Sequence, residues 1–296
     1  MTSNTPKIAV VGTRGAWSSE LLADRFAERT GFRLLIDFDD VSCNLSTGEV
    51  RCGEWDLREM DALVIKKLGK TYSPVMLDRL EILRFLTHGG LRVFSRPQSI
   101  AKLIDRLSCT TTLRCASIPM PETAITESLV EAERFVQRFG AAVLKPLYST
   151  KAQGMTLVSA EDANLVEQLQ AYRQSNPVLY IQRRLPAIQR DLGLVFLGGK
   201  YIGTYSRVKA PGAWNTTTAA GGRYAPQEVS PEIIELARRA QALFDMDLTS
   251  VDVVETPAGP VVFEVSAFGG FRGLFDASGI DLGALYADYV LRMLRP

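Results

Sequence analysis

The sequence predicts an α/β protein of two or three small domains, and three observations carry that expectation. Lys7 to Val11 is a compact apolar stretch. It is followed by the turn Gly12-Thr13-Arg14-Gly15, a helical pattern over Ser18 to Arg29 and a second apolar stretch, Phe32 to Phe38. Strand, turn, helix and strand in that order predict a small unit with a parallel sheet. Short apolar strands then alternate with amphipathic helical patterns as far as Phe244. Finally, Thr249 to Gly273 reads as two apolar strands joined by the turn Thr256-Pro257-Ala258-Gly259-Pro260, with Asp252 on the first and Glu264 on the second.

Composition narrows the function. The chain has 296 residues, 46% hydrophobic and 23% charged, with a formal net charge of +1. That balance, without a long basic run, gives no support for a nucleic-acid partner. No apolar run approaches the ~20 residues that span a bilayer, so no membrane partner is expected. The N-terminus lacks the charged and apolar regions of a signal peptide, and a cytoplasmic location is the expectation. Cys43, Cys52, Cys109 and Cys115 form no CxxC pair, which points to reduced thiols. The single histidine, His88, precedes Gly89-Gly90 at a helix end, where it reads as a capping residue. A Ser-His-Asp or Cys-His mechanism is disfavoured accordingly.

Taken in order, Val41 to Trp55 is polar and turn-rich, with a hairpin possible around Thr47-Gly48. Ala62 to Lys66 is a strand, Pro74 to Thr87 an amphipathic helix and Arg92 to Ser95 a strand, closing a first domain near residue 95. Pro97 to Cys115 reads as one connecting helix, because Ile100, Leu103, Ile104 and Leu107 recur at helical spacing. Ser128, with Glu131 three residues on, opens a helix to Phe139. Ala142 to Pro146 and Met155 to Val158 are strands around the loop 147–154, and Ala163 to Gln174 is a helix. Strands over Val178–Gln182, Asp191–Phe196 and Lys200–Lys209 lead to a small-residue loop, Ala210 to Tyr224. Helices over Pro231–Phe244 and Leu282–Leu294 flank the acidic hairpin. No GxGxxG follows the first strand and no GxxxxGK[ST] occurs, so neither a dinucleotide fingerprint nor a Walker loop is present.

The chemistry-bearing residues stand out as charges in apolar surroundings. Asp252 and Glu264 are costly to bury unless something positive lies between them. A divalent ion such as Mg²⁺, which takes one or two carboxylates plus substrate phosphates, suits them. A hairpin whose acids face water is the competing arrangement. Gly269-Gly270-Phe271-Arg272-Gly273 then supplies flexible backbone and one guanidinium. Lys145 lies in an apolar strand just before Pro146, where a phosphate would be a fitting partner and snorkelling to water the alternative. Ser149-Thr150-Lys151-Ala152-Gln153-Gly154 offers backbone N–H groups, hydroxyls and a cation that could close over phosphate oxygens.

In this order the residues resemble the ATP-grasp superfamily, and more narrowly the RimK-like carboxylate-amine ligases, over about residues 95 to 290. The resemblance implies an ATP-grasp fold behind a Rossmann-like pre-ATP-grasp domain. It divides the chain into 1–95 (N-terminal), 96–180 (central lobe with phosphate lid) and 181–296 (C-terminal lobe with metal hairpin). It implies that Lys145, Ser149, Thr150, Lys151 and Gly154 contact the nucleotide phosphates, and that Gln182 and Arg183 lie at the adenine hinge. Asp191 and Asn215 join the ATP site, and Arg207 reaches the phosphates. Asp252, Glu264 and Ser266 hold Mg²⁺. Arg272, just beyond the metal hairpin, reads as a carboxylate clamp, because a guanidinium engages a carboxylate in bidentate fashion, with a packing or surface role as the alternative. This chain departs from the family pattern in several places. Lys151 and Ala152 intrude on the glycines of the lid, and Arg183-Arg184 follow Gln182 where relatives place Glu. Gly193 stands where an Arg is usual, Ser266 where Asn is usual and Arg106 where Lys is usual.

The implied activity is formation of an amide through an acyl phosphate, with ATP and Mg²⁺. The carboxylate and amine could belong to an amino acid, a peptide or a protein tail, and a homo-oligomer is compatible with the family. Two other classes remain open at this stage: a non-catalytic or regulatory ATP-binding protein of this fold, and an ATP-grasp small-molecule kinase.

Overall fold

The structure, a computed structural model, describes residues 5–185 and 188–295. The first segment contains β1 (Ile8–Val11), α1 (Trp17–Thr30), β2 (Leu35–Ile36), β3 (Val41–Asn44), β4 (Glu49–Cys52), β5 (Trp55–Asp56), β6 (Ala62–Ile65), α2 (Val75–His88) and β7 (Arg92–Phe94). As expected, a parallel sheet forms, in the order β2-β1-β6-β7. The strand expected over Phe32–Phe38 shrinks to Leu35–Ile36. The Asp37 carboxylate accepts the Asp39 N–H and starts a 3₁₀ turn there. The polar stretch 41–55 is more ordered than its composition suggested, forming an antiparallel sheet β3-β4-β5.

The expected single connector is two helices, α3 (Pro97–Ile104) and α4 (Arg106–Cys115). Between them Asp105 is extended, and its carboxylate accepts the Leu107 N–H at 2.9 Å. An N-cap interrupts the helix although the apolar spacing runs on. The break makes Arg106 the first residue of α4.

Next come β8 (Thr123–Thr126), α5 (Leu129–Phe139), β9 (Ala141–Leu144), β10 (Thr156–Ser159), α6 (Leu165–Ser175) and β11 (Leu179–Arg183). Their antiparallel sheet has the order β10-β9-β11-β8 and its own core with α5 and α6, including Val136, Leu144, Leu169 and Ile181. Ser128 caps α5 as its spacing predicted.

The last segment contains β12 (Arg190–Leu197), β13 (Lys200–Val208), β14 (Arg223–Pro226), α7 (Pro231–Ala242), β15 (Leu248–Thr256), β16 (Gly259–Ser266), α8 (Phe271–Ser278) and α9 (Leu282–Leu294). Its antiparallel sheet runs β14-β13-β12-β15-β16. The segment after the hairpin, expected as loose glycine-rich backbone, instead starts a helix. Gly270, at φ +94°, turns the chain and Phe271 begins α8, burying Phe271 and Leu274.

The first and last segments share their cores. One cluster joins Ala9, Leu63 and Ile100 to Leu194, Val251 and Val265, and another joins Val10 and Phe26 to Tyr286 and Val290. α1 packs on α9, with Arg25 bonded to Asp281 at 2.7 Å. The C-terminal ends of β1 and β6 are thereby held against the face of the last sheet. Among the described residues no helix is long and apolar enough to cross a membrane.

Candidate active site

The last sheet gathers the charged residues into one patch. Asp191 on β12 is in register with Arg207 on β13, Gly193 lies between Tyr205 and Asp252, and Asp252 lies opposite Glu264 on β16. Cross-strand partners and residues two apart share a sheet face, so Ser266 joins the same row. The row borders a cleft of about 970 Å³. Thr150, Lys151 and Gln153 line it from the loop after β9, Thr217 and Thr218 from the loop after β13, and residues beyond β1 and β6 from the far side.

Arg207 donates to both Asp191 and Asp252, the latter at 2.6 Å. Burial alone would lower its pKa, but Asp252 and Asp191 outweigh it and hold the guanidinium well above its ordinary value. Asp252 moves upward too. Burial, reinforced by Asp191 and Glu264, pushes its carboxyl to about 7 in spite of Arg207. Burial would also raise Glu264, yet Arg106 and Lys145 prevail and keep it below the ordinary carboxylate range. Burial thus raises Asp252 in spite of its guanidinium partner, while Glu264 stays ionised.

Arg106 was noted from sequence only as a retained charge, and the structure gives it three partners. Its guanidinium donates to Glu264 Oε2 at 3.0 Å, Ser149 Oγ at 3.1 Å and the Pro146 carbonyl at 3.0 Å. It ties the loop after β9 to the acidic hairpin. The available signal was the Asp105 cap, which aims the first turn of α4.

Lys145 is 8% exposed and donates to Gln182 Oε1 at 2.6 Å, with its ammonium 5.1 Å from the Phe263 ring centre. Burial, aided by Arg106, lowers its pKa to about 7 although Glu264 and Asp252 pull the other way. Gln182 is fixed by Thr123 and Tyr180. Lys145 and Gln182 are therefore brought together beside the hairpin. Arg183 instead pairs with Glu122 on an exposed flank and does not line the cleft.

In the loop after β9, Lys151 and Ala152 adopt φ +54° and +59° and Gly154 +68°, and Thr150, Lys151 and Gln153 line the cleft. Asn215 is spent on its own loop, accepting from the Thr217 N–H and hydroxyl at 3.1 and 2.7 Å, and Thr217 is what reaches the cleft. Arg272 lines the cleft from the first turn of α8, stacked 4.0 Å from the Trp17 ring centre and 3.6 Å from Asp276.

These donors fit an ATP phosphate chain with Mg²⁺. Asp252 and Glu264 stand opposite each other on one face, the Glu264 side chain is 41% exposed, and Ser266 lies two residues on. Among the described residues no group of three or more His, Cys, Asp or Glu forms a metal cluster. Two carboxylates are the complement Mg²⁺ uses when substrate phosphates supply the remaining ligands.

Gly193 is required sterically. A Cβ there would lie 2.3 Å from Tyr205 Cζ, and one at Gly273 would lie 2.5 Å from the same ring. Tyr205, 4% exposed, fills the space that a side chain at 193 would take. Gly193→Arg should therefore lower stability by about 1–3 kcal/mol, the usual range for overpacking. Gly193→Arg combined with Tyr205→Ser should recover most of the loss in urea unfolding, and equal stability of the two variants would refute the steric account.

A model of the RimK-like ATP-grasp domain matches residues 104–290. The chain is 26% identical to tetrahydromethanopterin:alpha-L-glutamate ligase of Methanosarcina acetivorans, over 94% of this chain and 95% of that protein. It is 24% identical to ribosomal protein bS6–L-glutamate ligase of Escherichia coli, over 97% and 96%. Among solved structures, the ATP-grasp ligase PsnB complexed with a phosphomimetic variant of its minimal precursor, Mg and ADP superposes with a TM-score of 0.75. It is 19% identical, with 98% of this chain and 99% of that one covered.

Proposed function

The chain belongs to the RimK-like ATP-grasp family and is an ATP-dependent ligase, and from that premise we propose that it joins an amino acid to a carboxylate through an acyl phosphate. L-glutamate is the amine to test first, because the relatives named above are glutamate ligases. We take residues 1–95, 96–180 and 181–296 as the N-terminal, central and C-terminal units of the enzyme. The observation that carries the reading is Lys145, a buried ammonium whose partner is a neutral amide, beside two opposed carboxylates.

Lys145, Arg106 and the loop 149–154 hold the phosphate chain, and Arg207 keeps positive charge next to Asp252. Asp252, Glu264 and Ser266 would hold Mg²⁺, which supplies charge neutralisation across the transferred phosphoryl oxygens. An oxygen of the substrate carboxylate attacks the γ-phosphorus and the bond to ADP breaks. The amine nitrogen then attacks the acyl carbon, inorganic phosphate leaves, and the nitrogen gives up its proton. No side chain needs to form a covalent intermediate; fixed charge and positioning do the work.

Hydroxylamine tests this directly, because it can replace the amine and trap an acyl phosphate as a hydroxamate. With ATP, Mg²⁺ and a pool of carboxylic acids, hydroxamate and ADP should appear together. ADP with a stable phosphorylated product and no hydroxamate would identify a kinase instead.

The lowered pKa of Lys145 gives a pH signature. A bound triphosphate favours the charged ammonium, so the Lys145 pKa rises in the complex. Above about pH 7 the free protein must take up a proton to bind ATP. Affinity should therefore weaken by up to tenfold per pH unit there. Calorimetry in two buffers of different ionisation enthalpy should register proton uptake at pH 8, and Lys145→Met should abolish that uptake.

A further inference from the structure

The parallel sheet of the first segment points the C-terminal ends of β1 and β6 into the same cleft as the carboxylate row. Ligands of open parallel sheets bind at that edge. Directly after β6 come Lys66 and Lys67. Lys66 is 2% exposed, its ammonium donates to the Phe268 carbonyl at 2.7 Å and it lies 4.4 Å from the Phe271 ring centre. No carboxylate among the described residues pairs with either lysine. The charge that acts on Lys66 is Lys67 and the charge that acts on Lys67 is Lys151, both positive. A buried ammonium whose one hydrogen-bond partner is a carbonyl, with a second lysine beside it, has no counter-charge from the described residues of the fold.

We propose that Lys66 and Lys67 form a subsite that anchors an anionic group of the substrate acid, a carboxylate or phosphoryl group other than the one that reacts. The inference rests on the ligase reading for what occupies the rest of the cleft. It adds that the acid carries at least two anionic groups, one at the metal hairpin and one at the lysines. The geometry supports the division. Lys66 reaches the turn between β16 and α8 through Phe268, four residues after Glu264, and Lys66, Lys67, Asp252 and Glu264 line one cleft. Burial lowers Lys66 to about 7, and an anion at its side would restore its charge.

The test is titration of the intact chain with glutarate, inorganic phosphate and ATP·Mg²⁺, repeated on Lys66→Met and Lys67→Met. Lys67 is only half buried, so its variant reports even where the change at Lys66 impairs folding. Glutarate or phosphate should bind the wild type, and either substitution should weaken that binding about tenfold or more. ATP·Mg²⁺ affinity should stay within twofold. Preference for glutarate over phosphate assigns the group as a carboxylate, and the reverse as a phosphoryl group. Absence of anion binding to the wild type, or equal binding by the variants, overturns the proposal. A loss of ATP·Mg²⁺ affinity matching the loss of anion affinity also overturns it, by giving the lysines to the nucleotide. Failure of the wild type to bind ATP·Mg²⁺ counts against the ligase reading alone, because the anion titrations still decide the subsite.

Discussion

Glu264→Gln should reduce hydroxamate and ADP formation by about 10²–10³-fold, the cost of removing one fixed charge aimed at a transition state. The substitution keeps the shape of the side chain and an acceptor for Arg106, so the fold should hold. It removes the carboxylate that stays ionised while Asp252 is pushed up to about 7. The loss should fall on kcat, with the KM of the carboxylic acid little changed, because the lost interaction strengthens as phosphoryl oxygens gain charge. A variant within fivefold of wild type would mean that Glu264 only anchors Arg106. Melting curves of both proteins should overlap within a few degrees, which separates loss of chemistry from loss of structure.

Arg207→Met should be the most destabilising single change in the cleft. Arg207 is the common partner of Asp191 and Asp252, which are 4% and 8% exposed. Removing one member of such a group leaves buried charge uncompensated and typically costs about 3–5 kcal/mol. The sign of the pH dependence follows. Arg207 is what opposes the upward push of burial on Asp252, so without it the folded pKa of Asp252 lies further above its unfolded value and the folded state binds more protons between the two. Stability is then lost as pH rises through that window and regained as pH falls toward the unfolded value near 4. Urea unfolding should show a deficit against wild type that is large at pH 7.5 and smaller at pH 5.5. A deficit independent of pH would mean that lost packing, not unpaired charge, is the cause.

Much of the site was legible because its residues violate their local surroundings. Asp252 and Glu264 interrupt valine-rich strands, and the turn 256–260 fixes their register across the hairpin. Lys145 interrupts an apolar strand in the same way. Residues that obey their surroundings were not legible. Leu107 continues the helical spacing of Ile100, Leu103 and Ile104, so nothing apolar marks the break at Asp105. Only the side-chain cap, a choice between two hydrogen bonds of similar strength, makes it. Arg106 gains its place from that break. Lys66 ends an apolar strand as many exposed lysines do, and its burial depends on Phe268 and Phe271, some 200 residues away. Asn215 and Arg183 show the converse. Family position brings them to the ATP site, while the structure uses Asn215 to close its own loop and pairs Arg183 with Glu122. The role of Gly193 was not readable as a steric need, because Tyr205 is twelve residues away on the neighbouring strand.

The most direct test of the central claim is calorimetric titration of ATP into the intact chain, with Mg²⁺ and then with EDTA, alongside Glu264→Gln. The account predicts binding that is strong with Mg²⁺, at least tenfold weaker with EDTA, and insensitive to Mg²⁺ in Glu264→Gln. Binding of equal strength in all three conditions would contradict it, because the acidic hairpin would then hold no metal and the cleft would bind nucleotide for some other chemistry.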